Sequence, residues 1–366
     1  MSIVLYRKYR PKSFSELIGQ EHIVKTVTNA LSRDIVSHAY LFSGPRGSGK
    51  TTIARLLAKA VNCRDRKEGE FEPCNKCSSC KEIMENRSLD IIEIDAASNR
   101  GIDEIRDLRD GIRFSPVKEK YKVFIIDEAH QLTKEAVNAL LKTLEEPPSH
   151  AMFILATTEI HKMIPTIISR CQRHDFRKLT LKEIIERMEV ISKKEGIKLD
   201  ESASRLIAVN SGGAIRDAES LLDQVLTFAG DKKVITSEEI KDMLGIADIS
   251  MVSDFVDLII KKDSAGAMKF IQEMTEKGND PQEFVKVLIN YLRQALILKI
   301  SPDIADSVIA GLTDEEQKVI KRQVESMEEG GIRKGLEAFI DAENKMKYSS
   351  IQQLPLELAV VGIIAE

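Results

Sequence analysis

The stretch Gly44-Pro45-Arg46-Gly47-Ser48-Gly49-Lys50-Thr51 matches the G-x-x-x-x-G-K-[ST] pattern of a phosphate-binding loop, and it decides the fold of the chain. A strand-like apolar run, Ala39 to Phe42, precedes the loop, and a helical pattern of apolar residues follows it. A chance glycine-rich turn would lack this register of strand, loop and helix. In such loops, backbone N–H groups and the positive end of the helix attract an anion. The stretch therefore predicts an α/β core in which Lys50 reaches phosphate oxygens and the Thr51 hydroxyl binds Mg²⁺.

Length and composition indicate a helix-rich chain of two or three domains. The 366 residues exceed the ~100–200 residues of a typical domain. Aromatic residues make up 5%, and tryptophan is absent. Lys and Arg total 54 against 58 Asp and Glu, a formal net charge of −4, so contact with DNA would need a local basic patch. The chain shows neither a signal-peptide core nor an apolar run near ~20 residues, which predicts a cytoplasmic protein without membrane contact.

A short N-terminal segment mixes basic and apolar side chains ahead of the first strand. It runs Arg7-Lys8-Tyr9-Arg10-Pro11 and continues to Phe14, Leu17 and Ile18. Pro11 and this mixture suit an extended strap lying over a nucleotide base, rather than a regular element. The alternative is an ordinary solvated arm.

Cys63, Cys74, Cys77 and Cys80 follow the spacing C-x10-C-x2-C-x2-C. Four thiolates can close a tetrahedron around Zn²⁺, and a reducing compartment argues against disulfides. An iron–sulfur cluster is the competing chemistry. Its usual next cysteine, three residues on, is missing here, so the insertion 63–80 favours structural zinc.

A second strand-like run, Val123-Phe124-Ile125-Ile126, ends in Asp127 and Glu128. A continuous apolar strand is typical of a parallel sheet buried on both faces, and ligands bind at the carboxyl ends of such strands. Downstream of a complete phosphate loop, Asp127 is expected to hold the Mg²⁺ shell. Glu128 is expected to orient or deprotonate the attacking water.

Arginines at three places have both an ordinary and a functional interpretation. Arg100 precedes a charged helical pattern, and Arg106 and Arg109 lie off the apolar stripe of that pattern. These arginines are either part of an ordinary solvated helix face or a basic patch that contacts phosphates. Arg170, in Ser169-Arg170-Cys171, is by spacing alone a surface residue. Arg216 follows Gly212-Gly213 on the first turn of a helix, where a cation opposes the helix dipole and an anionic partner is expected.

These motifs come in the order of the AAA+ ATPases, and the chain closely resembles the gamma/tau family of bacterial DNA polymerase III. The likeness is very specific from residue 3 to about 222, includes the four-cysteine insertion, and beyond that consists mainly of helical pattern and length. The segments that carry it are Arg7-Lys8-Tyr9-Arg10-Pro11, Gly19-Gln20-Glu21, His38-Ala39-Tyr40-Leu41-Phe42-Ser43-Gly44, Ala54-Arg55-Leu56-Leu57-Ala58-Lys59, Glu93-Ile94-Asp95-Ala96-Ala97-Ser98 and Asn138-Ala139-Leu140-Leu141-Lys142-Thr143-Leu144-Glu145-Glu146-Pro147-Pro148.

The resemblance implies a P-loop AAA+ core at 1–178, a five-stranded parallel sheet with helices on both faces. An all-α lid at 179–242 and an all-α collar at 243–366 that holds a pentamer together would follow. It also implies an ATPase subunit of the replicative clamp loader, which opens a sliding clamp and loads it on primer-template DNA together with delta and delta-prime type subunits. Family members commonly continue past this length into regions that hold polymerase and helicase.

Residue roles follow from the same resemblance. The loop from Gly44 to Thr51, together with Thr52, would bind ATP, and Thr51 and Asp127 would bind Mg²⁺. The catalytic set would be Lys50, Glu128, a strand-tip sensor at Thr158 or Thr157, and Arg170 acting in trans on the neighbouring subunit. Arg216 would be the lid sensor. Tyr6, Arg10, Pro11 and Ile18 would face adenine, and Arg100, Arg106 and Arg109 would contact DNA.

Two other functions on the same motor stay open. A stator-like, non-hydrolysing subunit of the pentamer usually has a degraded phosphate loop, whereas Lys50, Thr51, Asp127 and Glu128 are intact here. A Holliday-junction branch-migration motor lacks the cysteine insertion and carries a winged-helix end, which residues 243–366 do not suggest.

Overall fold

The computed structural model describes residues 4–98, 111–112, 114–230, 232, 234–244, 249–301, 303, 308–309, 312 and 314–364. The contacts divide the chain into two compact units. The first is Met1–Glu195 together with Ile207–Gln224, and the second is Gly196–Leu206 together with Val225–Glu366. The domain boundaries expected after residues 178 and 242 stay a prediction.

Within the described residues of the first unit, five parallel strands form one sheet. They are Ala39–Ser43 (β1), Ile91–Asp95 (β2), Lys122–Asp127 (β3), Ala151–Thr157 (β4) and Gln172–Asp175 (β5). Their order across the sheet is β2-β3-β4-β1-β5. The central strands β1, β3 and β4 are almost completely buried, because helices cover both faces. The predicted parallel sheet is confirmed, and its carboxyl ends meet at one edge.

The helices of the described chain up to residue 229 are Leu5–Lys8 (α1), Glu21–Ser32 (α2), Lys50–Val61 (α3), Ser78–Met84 (α4), Lys134–Glu145 (α5), Pro165–Ile168 (α6), Leu181–Lys194 (α7), Glu201–Asn210 (α8) and Ile215–Ala229 (α9). Successive strand residues point to opposite faces of the sheet. Tyr40 and Phe42 therefore pack with α2 and α3, and Ala39 and Leu41 pack with α5. The prediction of helices on both faces is confirmed.

The second unit is mainly helical. Its remaining helices among the described residues are Ser237–Leu244 (α10), Ile249–Ile260 (α11), Ser264–Glu276 (α12), Pro281–Ile300 (α13), Asp314–Ser326 (α14), Glu329–Met346 (α15) and Leu354–Ile364 (α16). Phe255, Phe284 and Phe339 lie in its core, and the rings of Phe255 and Phe284 meet edge-on with centroids 5.2 Å apart.

One feature of the second unit was not expected, since the sequence predicted no strand after residue 178. Lys198–Leu199 (β6) pairs in parallel with Val234–Ile235 (β7). Two-residue strands are too short to show an alternating pattern, which is why the sequence did not reveal them. In the described part of the chain, no helix is both long and apolar enough to cross a membrane.

Candidate active site

The phosphate loop connects β1 to α3 and needs its glycines for two physical reasons. Gly44 and Gly47 have φ angles of +145° and +72°, in the region that side chains disfavour. A Cβ on Gly44 would lie 2.4 Å from the Phe176 carbonyl oxygen, and one on Gly47 would lie 2.8 Å from the Ala214 Cβ. The loop is therefore packed closely against the chain just after β5 and against the residue before α9.

Lys50 lies inside the loop at the start of α3. Its side chain is nearly buried, and its Nζ donates hydrogen bonds to the carbonyl oxygens of Gly44 and Pro45, each at 2.8 Å. Burial lowers the pKa of Lys50, while the nearby carboxylates of Glu128 and Asp127 act in the opposite direction. A poorly solvated cation in this place is stabilised by an anion that enters the loop.

Asp127, the last residue of β3, meets Thr51 at the carboxyl edge of the sheet. The Thr51 hydroxyl donates a hydrogen bond of 2.8 Å to Asp127 Oδ2, and the Glu128 N–H donates to Asp127 Oδ1 at 3.0 Å. A hydroxyl and a carboxylate side by side are oxygen ligands that suit Mg²⁺. Glu128 itself has a φ of +49°, so the chain turns away from the strand directly after Asp127.

The structure separates the two threonines at the tip of β4. The Thr158 hydroxyl and N–H donate to Glu128 Oε2 at 2.8 and 3.2 Å. The Thr157 hydroxyl instead lies 2.9 Å from His130 Nδ1 and accepts the Glu159 N–H at 3.0 Å. Thr158 is therefore the strand-tip hydroxyl in contact with Glu128.

His130 was missed by the sequence analysis. Its Nδ1 lies 3.4 Å from Glu128 Oε2, its Nε2 lies 3.4 Å from Glu159 Oε1, and its side chain is buried. A histidine two residues after Glu128 was a visible signal, but its contact with β4 depends on the pairing of neighbouring strands.

A cavity of about 580 Å³ extends from the phosphate loop to the N-terminal segment. All the residues of this segment that were predicted to face adenine line it, as do Leu17 and Gln20. Arg187 and Glu219 also line it, and no sequence pattern pointed to those two. The predicted ones are Tyr6, Arg10, Pro11 and Ile18.

The N-terminal segment, residues 5–18, is named the strap from here on. The sequence predicted an extended segment, and that prediction is wrong in part. The strap contains α1 and a 3₁₀ turn, Phe14–Glu16, on either side of Pro11. The residues before Pro11 are free to form a helical turn because the proline restricts only its immediate predecessor. Leu5 and Phe14 are 4% and 2% exposed, which excludes a solvated arm.

Arg216, on the first turn of α9, stacks on the strap. Its guanidinium carbon lies 4.8 Å from the centre of the Tyr6 ring, a cation–π distance. The hydrogen bond from Arg216 lowers the pKa of Tyr6. Arg216 therefore lines the cavity and has an aromatic partner that the sequence did not indicate, while its role as lid sensor stays a prediction.

A buried ion pair joins α7, α9 and the strap. Arg187 Nε donates to Glu219 Oε1 at 2.9 Å, and an Nη2 of Arg187 donates to the Tyr9 carbonyl oxygen. Burial raises the pKa of Glu219, although Arg187 acts in the opposite direction. Its members come from distant parts of the sequence, so no local pattern could predict it.

Arg170 lies away from this cavity. Its guanidinium donates to Glu145 Oε1 at 2.6 Å and to the Thr166 carbonyl oxygen at 2.8 Å. Gln172, two residues on, pairs with Tyr40 near the start of β1, whereas the phosphate loop follows the end of β1. The length of β1, roughly 13 Å at ~3.3 Å per residue, separates Arg170 from the loop of its own chain.

The four cysteines of the insertion come together. Their sulfur atoms all lie within 4.8 Å of one another, and the cysteines of the described chain are free thiols. A tetrahedron with Zn–S bonds of about 2.3 Å has edges of about 3.8 Å, so a small contraction fits the cluster to zinc. Backbone N–H groups of Cys74, Cys77 and Cys80 donate to the sulfurs of Cys63, Cys74 and Cys77 at 3.2–3.4 Å. Such bonds stabilise thiolate ligands.

Arg100, Arg106 and Arg109 lie outside the described residues.

Models of three protein families match consecutive parts of the chain. They are described as DNA polymerase III, delta subunit, at residues 19–180; DNA polymerase III clamp loader subunit, ATPase lid domain, at 183–231; and DNA polymerase III subunits gamma and tau domain III, at 235–365.

Two relatives illustrate the likeness along the chain. DNA polymerase III subunit tau of Bacillus subtilis is 43% identical over 363 residues, which cover 98% of this chain and 62% of that protein. DNA polymerase III subunit gamma of Buchnera aphidicola is 34% identical over 362 residues, 99% of this chain and 98% of that protein. The chain thus spans about three-fifths of the tau relative.

Among solved structures, the Thermotoga maritima RuvB Holliday junction branch migration motor matches 69% of this chain and 79% of its own, with a TM-score of 0.50 and 21% identity. That likeness shows a shared fold alone. The likeness to the gamma subunit extends along nearly the whole of both chains, and the phosphate loop and the carboxylate pair agree with it. The chain therefore belongs to the gamma/tau family of bacterial DNA polymerase III.

Proposed function

We propose that this chain is an ATP-hydrolysing subunit of the bacterial replicative clamp loader, which opens the sliding clamp and loads it onto primer-template DNA. The observation that carries the proposal is the hydrogen-bonded series Thr51–Asp127 and Glu128–Thr158 beside Lys50. Lys50, Thr51, Asp127 and Glu128 all line one cavity. A stator-like subunit has no need of a positioned Glu128.

The roles of the residues follow from their contacts. Lys50 and the loop amides bind the β- and γ-phosphates of ATP, and the strap residues Tyr6, Arg10, Pro11 and Ile18 enclose the adenosine. Thr51 and Asp127 hold Mg²⁺, which neutralises charge on the phosphate oxygens when bound. Glu128 accepts a proton from the attacking water, and Thr158 keeps the Glu128 carboxylate aimed at it. Arg216 contacts the phosphates from the side of α9.

Arg170 completes the site of a neighbouring subunit. The length of β1 lies between Arg170 and its own loop, which favours action on the nucleotide of a neighbouring chain. A guanidinium inserted from outside stabilises the charge of the transition state. Each catalytic site would then combine Arg170 of one chain with the other catalytic residues of an adjacent chain in the pentamer.

Zinc, rather than an iron–sulfur cluster, is the proposed resident of the cysteine insertion. Residues Cys63, Cys74, Cys77 and Cys80 provide four sulfurs in one compact group, so the ion would have no open position and would stabilise the fold.

Partners are proposed from the family. They are delta and delta-prime type subunits, the sliding clamp and primer-template DNA, with polymerase and helicase as the further partners that family members hold. Because the net charge is −4, we assign DNA contact to the local group Arg100, Arg106 and Arg109.

The test is ATP turnover by the chain assembled with the other loader subunits, measured with and without clamp and primed DNA. We expect turnover that rises when both are present. Nucleotide binding without hydrolysis would favour the stator-like alternative, and turnover indifferent to clamp and DNA would contradict the loader assignment.

A further inference from the structure

The cysteine insertion is hydrogen-bonded to the strap between two stretches of the strap that line the cavity. Arg10 and Pro11 line the cavity on one side, and Leu17 and Ile18 line it on the other. The intervening segment, residues 12–15, faces the insertion. The position of the cavity-lining residues on both sides therefore depends on how this segment is held.

Glu72 of the insertion holds the segment by its backbone. Its two carboxylate oxygens accept the N–H groups of Phe14 and Ser15 at 2.9 and 2.8 Å. These amides open the turn Phe14–Glu16, whose preceding residue, Ser13, supplies no side-chain cap. Glu72 takes the place of a capping residue from a distant part of the sequence.

Lys59 holds the same segment by a further hydrogen bond. Its Nζ donates to the Lys12 carbonyl oxygen at 2.7 Å and to Asn75 Oδ1 at 2.6 Å, and the side chain is 3% exposed. Lys59 lies on α3, the helix that the phosphate loop opens. Asn75 lies between the ligand candidates Cys74 and Cys77, so the bridge runs directly from the cysteine cluster to the strap.

The insertion has little else to fix its shape. Residues 62–77, all described, form neither helix nor strand. Arg66 anchors the early part by hydrogen bonds to the carbonyl oxygens of Leu31, Ala60 and Glu70. Glu72 and Asn75 lie beyond this anchor, Glu72 two residues before Cys74 and Asn75 directly after it.

We propose that Glu72 and Lys59 are positioning residues for nucleotide binding, which hold the strap against the cysteine cluster so that its cavity-lining residues are pre-organised for the adenosine part of ATP. The inference rests on the proposed function, because it takes ATP as the ligand. It assigns the metal cluster a role in nucleotide affinity and not in the hydrolytic step, since the phosphate loop makes none of these contacts.

The test measures the binding of ATP, by displacement of a fluorescent ATP analogue, to the full chain carrying Glu72→Ala. Inorganic tripolyphosphate, which engages only the phosphate loop, is measured in the same way. We expect the Kd for ATP to rise about tenfold, because charge-assisted hydrogen bonds that order the strap are lost, and the Kd for tripolyphosphate to stay within about twofold. Glu72→Gln, which keeps one acceptor oxygen, should give an intermediate value.

Glu68→Ala is the matched control. Glu68 is an exposed glutamate of the same insertion, so its removal changes the charge equally and should leave both constants unchanged. Amide exchange at Phe14 and Ser15 should accelerate in Glu72→Ala and not in the control. Asn75→Gly is a second test variant, because Asn75 has a φ of +58° that glycine adopts freely. It should also weaken the binding of ATP and leave the binding of tripolyphosphate unchanged.

Metal removal tests the link to the cluster. After chelation, desalting and return of Mg²⁺, the wild-type chain should bind ATP about as weakly as Glu72→Ala, and the variant should lose little more. Equal losses for ATP and tripolyphosphate, or unchanged ATP binding in both Glu72→Ala and Asn75→Gly, would overturn the inference while leaving the proposed function standing. A wild-type chain that binds neither would overturn both.

Discussion

At the scale of single residues, the contact between Thr158 and Glu128 predicts how hydrolysis depends on one proton acceptor. Glu128→Gln should keep ATP binding, because the amide retains the shape of the side chain and an oxygen that can accept from Thr158. It should lower turnover by about 10²-fold or more, because an amide cannot accept the proton of the attacking water. Single-turnover hydrolysis beside equilibrium nucleotide binding checks both parts. Wild-type turnover in the Gln variant would show that another group activates the water.

Arg170 makes a prediction about which subunit is damaged. Arg170→Ala and Lys50→Ala should each lower turnover by about 10³-fold or more in assemblies built from one variant. Mixed assemblies should regain part of it, because an interface that joins an intact Lys50 to an intact Arg170 of the next chain forms a complete site. Arg173→Ala, an exposed arginine on β5, is the control. Absence of recovery in assemblies shown to have exchanged subunits would place the action of Arg170 within its own chain or nowhere.

The sequence revealed the residues whose roles depend on local spacing. The phosphate loop and Asp127-Glu128 are motifs, and each lies at the cavity. Glu72, His130 and the Arg187–Glu219 pair were missed, because their partners are brought close only by the fold. The preference for Thr158 over Thr157 came from the resemblance alone, since the partner of each hydroxyl depends on how the chain turns after β3 and β4.

At the scale of elements, the cysteine insertion predicts a metal requirement. Purified chain should contain about one equivalent of zinc, and Cys77→Ser should lose it and unfold at a lower temperature. Elemental analysis and thermal unfolding provide the measurement, and Cys171→Ser, which lies outside the cluster, should retain the metal. Stoichiometric iron together with a visible charge-transfer band would contradict the zinc assignment and favour an iron–sulfur cluster.

The first turn of α7 predicts a pH-dependent contribution to stability. Arg177 lowers the pKa of Glu183 from 4.5 to about 2, and Glu183 also forms a capping box with Thr180. The charged form is favoured in the folded state, so the stabilisation is complete above about pH 4.5 and disappears as the pH falls through about 2.

Glu183→Gln should therefore lower the thermal midpoint by about 2–4 °C at pH 7, and the difference from wild type should narrow between pH 4.5 and 2. Glu186→Gln, an exposed change on the same helix, should have little effect at any pH. A difference that stays constant with pH would show that the carboxylate charge of Glu183 is not what stabilises the turn.

Elements with strong periodicity were predictable, and short ones were not. Buried strands such as Val123–Ile126 and amphipathic helices such as α3 repeat their pattern over several turns or pleats. The strands β6 and β7 contain two residues each, and the strap folds into short turns around Pro11, so neither offers a pattern long enough to detect.

At the scale of the whole molecule, a nearly neutral net charge means that the proposed contact with DNA would have to be concentrated in a local basic patch. Arg106→Glu should weaken DNA-stimulated turnover and leave turnover without DNA nearly unchanged. The loss should be largest at low salt, because each phosphate contact removed reduces the salt dependence of binding. The position lies outside the described residues, so the prediction rests on the charge argument and on the family. Lys25→Glu, an exposed change on α2, is the control, and equal losses in both variants would indicate a general charge effect.

The close approach of Gly47 to Ala214 also limits how the protein can evolve. Between the phosphate loop and the start of α9 there is room for one methyl group, which Ala214 supplies, and the Ile215 N–H donates to the Gly47 carbonyl oxygen at 3.2 Å. A larger residue at either position pushes the same two backbones apart. Selection on the loop therefore extends to Ala214, and substitutions at the two positions should show strong epistasis, with Gly47→Ala less harmful beside Ala214→Gly than alone.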